Sequence, residues 1–195
     1  MDIAIIRFPG SNCDDDVLHV CNRVVPGSSA RYVWHKDAAL GACDAVVVPG
    51  GFSYGDYLRA GAIARFSPIM ESVAAFAAEG GPVFGICNGF QVLCEAGLLP
   101  GALLPNAGRR FLCRQVSLVV ENTASAWSGA AIAGERLSIP VKHADGRYFA
   151  PEADLDALEA AGQVLVRYAP GENPNGSARD IAGIIKTKTD VIAAV

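Results

Sequence analysis

Cys87 stands in Gly85-Ile86-Cys87-Asn88-Gly89, directly after an apolar run, Val83–Ile86, and directly before a helical pattern, Asn88–Ala96, that stops at Gly97. A nucleophile flanked by glycines at a strand-to-helix turn makes a sharp elbow: the glycines bend with little steric cost, and the central side chain projects at the top of the sheet. The helix that follows points its first N–H groups at the thiol, which favours thiolate and can stabilise an oxyanion. The plainer alternative is a buried cysteine in a glycine-rich turn. Pro49-Gly50-Gly51 follows a second apolar run, Ala45–Val48. In a parallel sheet both turns leave the carboxyl edge, where such folds build their sites. Acyl transfer needs two donors on the tetrahedral oxygen, and the backbone N–H groups of Gly51 and Asn88 are the expected pair. An ordinary glycine turn is the competing explanation for Gly50-Gly51.

Other chemistry-bearing residues are sparse. Cys13, Cys21, Cys43, Cys94 and Cys113 read as small core residues. No two cysteines form a Cys-x-x-Cys pair and the histidines are scattered, so a zinc site has no support. His19 and His35 read as surface residues. His143 has Asp145 two positions on, the spacing of a His-x-carboxylate pair, and is the one serious candidate for a substitute base. No P-loop is present for ATP.

The elements that must position Cys87 follow from periodicity. Short β-branched runs alternate with helical patterns: Ile3–Ile6, a helix over Asp14–Val25, then Ala30–Trp34 and the continuous apolar run Ala45–Val48. Ser67-Pro68 starts a helix that ends at Gly80-Gly81. This alternation predicts an α/β fold, a mostly parallel, doubly wound sheet with helices on both faces. After Gly101 the runs Val116–Val120, Leu137–Val141 and Val164–Tyr168 lie close together, with one clear helix over Pro151–Ala161, which predicts added antiparallel strands. Residues 170–177 form a loop by composition, and Ile181–Ile185 with Val191–Val195 read as a closing pair of strands. The 195 residues, 51% hydrophobic and 18% charged, suit a single domain with a substantial core. A net charge of -4 gives no basic footprint, so no nucleic acid partner is expected. The longest apolar runs fall short of the ~20 residues of a membrane span, and Met1–Arg7 reads as a first strand rather than a signal peptide. A cytoplasmic protein is the expectation.

The glycine turns together carry a resemblance. Pro49-Gly50-Gly51 with Gly85-Ile86-Cys87-Asn88-Gly89-Phe90-Gln91 resembles the class I, or triad, glutamine amidotransferases. Phe8–Asp14, Gly51–Arg59, Phe111–Arg114, Ile139–Tyr148 and Asn173–Ser177 extend the likeness, to a branch that serves purine synthesis, over about residues 3 to 185. The resemblance implies a flavodoxin-like fold in which Cys87 attacks the side-chain amide of glutamine and forms a thioester. It implies an oxyanion hole at Gly51 and Asn88, and glutamine contacts from Gly50, Gln91, His143, Ala144 and Asp145. It further implies no cofactor in this chain. Ammonia would pass to a large synthetase subunit that uses ATP and magnesium to make formylglycinamidine ribonucleotide, with a small accessory subunit completing the assembly.

One part of the family pattern is missing. The family closes its last strand with a Pro-His-Pro-Glu run that carries the catalytic histidine and glutamate, and the sequence ends at Val195 without it. The expectation is a chain shortened before its His-x-Glu segment, with His143 a wall of the pocket rather than a replacement base. A non-catalytic scaffold subunit, and a cysteine hydrolase acting on another substrate, remain as alternatives.

Overall fold

The computed structural model describes residues 1–186 and 188–195. The first half builds β1 (Asp2–Arg7), α1 (Asp14–His19), β2 (Ser29–Trp34), β3 (Ala45–Val48), α2 (Ile69–Ala78), β4 (Val83–Ile86) and α3 (Asn88–Glu95). The second builds β5 (Ala102–Leu104), β6 (Leu112–Val120), β7 (Arg136–His143), β8 (Arg147–Phe149), α4 (Glu152–Ala160), β9 (Val164–Tyr168), β10 (Ile181–Lys186) and β11 (Val191–Ala194). One sheet of nine strands runs in the order β2-β1-β3-β4-β11-β10-β9-β6-β7. β2, β1, β3, β4 and β11 are mutually parallel, and β10, β9, β6 and β7 continue antiparallel. This is the expected mostly parallel α/β sheet with antiparallel strands added.

Helices cover the parallel half because its strands are apolar on both sides. β3 is buried at every position, as a central strand must be. Ala4, Ile6, Val46 and Val48 pack with α2, α3 and α4 on one face, where the Phe90 and Tyr148 rings stack at 5.7 Å. Ile3, Ile5 and Val47 face α1 on the other.

Four details depart from the sequence expectation. The helix over Asp14–Val25 is α-helical only to His19, and Val20–Val24 is a π-helical turn. Val25 is extended (φ -88°, ψ 112°), the conformation a following proline imposes. β6 starts at Leu112 rather than Val116, because its first half pairs with β7 alone and leaves Cys113, Arg114 and Gln115 exposed. β5 and β8 form a separate two-stranded sheet, and three residues each are too few to show alternation. Among the cysteines only Cys21 and Cys94 are fully buried; Cys13 and Cys43 are half-buried and Cys113 is exposed, against the expectation of five core residues.

Candidate active site

Cys87 occupies the turn between β4 and α3 with φ 51° and ψ -103°, a left-handed conformation that costs a residue with a Cβ about 1–3 kcal/mol. Backbone bonds hold it there. Its N–H donates to Ala194 O at 2.9 Å, and its carbonyl accepts from Phe90 N at 2.9 Å and Gln91 N at 3.3 Å. The flanking glycines are required by close approach. A Cβ on Gly85 would lie 2.9 Å from the Gly89 carbonyl carbon, and one on Gly89 would overlap the Val48 carbonyl. The first turn of α3 therefore lies flush on β3 and β4.

That packing leaves amide donors at the thiol. No side chain caps α3, and the Asn88 N–H is directed at the Cys87 sulfur, where it lowers the thiol pKa. Burial acts the other way and wins: with smaller contributions from Cys13 and Asp56, it pushes the Cys87 thiol up to about 11. The expected thiolate is corrected accordingly. The helix end pulls in the anticipated direction, but Cys87 rests as a thiol.

The Gly50-Gly51 loop lies on the same edge, with Val48 paired to Gly85. A Cβ on Gly50 would sit 3.6 Å from Ile86 O. The loop is clamped by the segment after β1: Gly50 O accepts from Asn12 N (3.4 Å) and Cys13 N (3.2 Å), and Phe52 N donates to Gly10 O at 2.9 Å. Gly51, at φ 150°, spends its N–H on no backbone partner among the described residues.

A chain of buried amides joins the remaining positions. Asn88 Oδ1 accepts from Ser53 N at 3.1 Å and from the Ser53 hydroxyl, while Asn88 Nδ2 donates to Asp56 Oδ1 (3.2 Å) and Gln91 Oε1 (2.8 Å). Gln91 Nε2 donates to Asp145 O at 2.7 Å. The neighbouring carbonyls are pinned in the same way. His143 O accepts from Asn106 Nδ2 (2.9 Å), Ala144 O from Asn106 N (2.8 Å) and Gly146 O from Asn175 Nδ2 (2.7 Å). Four successive carbonyls are thus fixed, which gives a rigid wall at residues 143–146. Gln91 is a strut of that wall, its carboxamide engaged at both ends.

Two of the histidines are engaged with partners of their own. His143 is buried, with Nδ1 3.1 Å from Asn106 Oδ1 and its ring over Gly146. Burial lowers its pKa, and no histidine is among the groups whose charge acts on Cys87. His19 is exposed, as expected. His35 is buried rather than on the surface, because Tyr54 OH bonds its Nδ1 at 2.6 Å within an aromatic cluster of Phe8, Trp34 and Tyr54. The end of β11 reaches the elbow, with Ala194 in register with Ile86.

A family model described as a CobB/CobQ-like glutamine amidotransferase domain matches residues 1–194. This chain belongs to the glutamine amidotransferases. It is 55% identical over 192 residues to phosphoribosylformylglycinamidine synthase subunit PurQ of Rubrobacter xylanophilus, covering 98% of this chain and 86% of that protein. It is 52% identical over 194 residues to the same subunit of Salinibacter ruber, covering 96% of this chain and 82% of that protein. The structure of PurLQS from Thermotoga maritima superposes with a TM-score of 0.89 at 38% identity, over 100% of this chain and 85% of that one. The glutaminase domain of Trypanosoma brucei CTPS, at 15% identity and a TM-score of 0.58 over 100% of this chain and 84% of that one, shares the fold.

Several residues of this amidotransferase site carried no sequence signal of their own. Ser53, Asp56, Asn106 and Asn175 act through contacts made across 29 or more positions of the chain. For Asn175 a signal existed in the turn-rich run Asn173–Ser177, whose Asn173 and Asn175 side chains cap their own backbone. Among the described residues no three His, Cys, Asp or Glu side chains gather as metal ligands, and no helix is long and apolar enough to cross a membrane.

Proposed function

We propose that this chain is the glutaminase subunit of a phosphoribosylformylglycinamidine synthase. The observation that carries the reading is a thiol held in a left-handed strand-to-helix elbow at the uncapped start of α3, in a chain 55% identical to such a subunit. Cys87 Sγ attacks the side-chain amide carbon of glutamine, and the oxyanion is received by the N–H groups of Asn88 and Gly51. The C–N bond then breaks, the amine takes a proton and leaves as ammonia, and water hydrolyses the γ-glutamyl thioester to glutamate and free thiol. Gly50 and the wall at His143, Ala144 and Asp145 border the glutamine, with Gln91 bracing that wall.

With a thiol near 11, about one molecule in ten thousand is thiolate at pH 7, so attack requires a general base. Ammonia passes to a large synthetase subunit, which holds ATP and magnesium; a small accessory subunit completes the assembly, in the cytoplasm.

The test is amidine synthesis by the reconstituted full-length complex, driven by glutamine or by ammonia. Cys87→Ser abolishes the glutamine-driven reaction, by ~10⁴-fold or more, and spares the ammonia-driven one. Glutamine-driven synthesis that survives the substitution overturns the proposal.

A further inference from the structure

Glutamine is a zwitterion, so a pocket that admits its amide must also answer an ammonium group. In an extended glutamine the α-nitrogen lies about 5 Å from the side-chain amide carbon. A counter-charge is therefore required close to the nucleophile, since a sequestered ammonium without one is strongly unfavourable. Asp56 is the carboxylate whose charge acts on Cys87, and Asp145 in turn acts on Asp56.

The two aspartates differ from the other acidic groups near arginines. Asp14, Glu95, Glu121, Glu159 and Glu172 each pair with an arginine, whereas neither Asp56 nor Asp145 has a cationic partner among the described residues. Both hang from the first turn of α3. Asp56 Oδ1 accepts a hydrogen bond from Asn88 Nδ2 at 3.2 Å, and Asp145 is tethered through its carbonyl to Gln91 at 2.7 Å. Asp56 also sits in left-handed backbone (φ 54°), in a loop locked by Tyr54 N on Pro9 O (2.7 Å) and by Arg59 on Glu95 (2.5 Å). Two carboxylates anchored to the first turn of α3, each acting without an ion-pair partner among the described residues, favour a cationic ligand.

We propose that Asp56, with Asp145 beside it, receives the α-ammonium of glutamine and so selects an α-amino acid over a simple amide. This rests on the glutaminase reading above and names the recognition of one end of its substrate.

The experiment compares glutamine with glutaramate, the same molecule without its α-amino group, in the full-length complex. Wild type strongly prefers glutamine. Asp56→Asn is expected to raise KM for glutamine ~100-fold and to lower kcat/KM for glutaramate far less, so that the preference collapses. Asp145→Asn gives a smaller loss in the same sense, and decides the matter if Asp56→Asn does not fold. An equal loss on both substrates assigns the aspartates a structural role and overturns the proposal, as does an unaltered KM for glutamine. A wild-type complex that hydrolyses neither substrate refutes the glutaminase reading itself, a separate outcome.

Discussion

Substituting Gly89 by Ala adds one methyl group at the point where α3 touches the sheet. In an open helix the change stabilises by about 1 kcal/mol, because alanine is the better helix former. Here the new Cβ would overlap the Val48 carbonyl oxygen and approach its carbon to 2.7 Å, when ordinary contact begins near 3.4 Å. Val48 cannot yield easily, since it is paired to Gly85 in the centre of the sheet. The carbonyl oxygen lies nearer still than that carbon, so the helix must move by more than ~1 Å instead. Overpacking of this kind costs about 1–3 kcal/mol, so net destabilisation of up to about 2 kcal/mol is expected, read as a lower midpoint in urea. The larger effect is on chemistry. The shift carries the Asn88 N–H away from the Cys87 sulfur, and a displacement of that size lowers glutamine hydrolysis by about 10²-fold. Ammonia-driven synthesis by the complex is the internal control. Gly108→Ala, where nothing lies within 4 Å of the new atom, serves as the silent comparison. Glutamine hydrolysis within three-fold of wild type in Gly89→Ala would refute the packing argument.

Gly51→Val destabilises as well as inactivates, because its Cβ would meet Gly10 O at 2.7 Å and Ser11 Cα at 2.8 Å on backbone at φ 150°; thermal melting tests this, and a variant as stable as wild type contradicts it. Asp56 has its carboxyl pushed up to about 6 by burial and by Asp145, so its folded form binds protons more tightly than its unfolded form. Its contribution to stability is therefore full below about pH 4 and lost as pH rises through 6, and without glutamine Asp56→Asn gains on wild type over that window. A stability difference flat from pH 4 to 8 counts against the shift. Asn106→Ala removes bonds to Arg110 O, His143 O, Gly146 N and the His143 ring, so urea denaturation should show a loss of about 3 kcal/mol, and kinetics a raised KM for glutamine.

The parallel half of the sheet was legible because its strands are short apolar runs broken by glycine turns, and local patterns of that kind survive folding unchanged. The elbow was legible for the same reason: Gly85, Cys87 and Gly89 are close in sequence and meet the same helix. The protonation state of Cys87 was not, since it depends on how deeply the turn is buried, a property of the whole packed edge. His35 was misplaced on composition, although Tyr54, 19 positions away, holds its ring. Asp56 and Asn106 were likewise invisible, because their partners Asn88 and His143 lie 32 and 37 positions away. A one-dimensional pattern has no means of pairing residues that far apart.

Cys13 gives the central assignment its sharpest control. It too precedes a helix and is half-buried near Cys87, but Asp16 and Asp14 act with burial to raise its pKa, and no glycine elbow presents it. The most direct measurement is therefore peptide mapping after treating the full-length complex with an electrophilic analogue of glutamine. One equivalent on Cys87, blocked by glutamine and accompanied by loss of glutamine-driven synthesis, is the predicted result. Label on Cys13, or spread over Cys13, Cys43 and Cys113 with Cys87 unmodified, would contradict the assignment of Cys87 as the nucleophile.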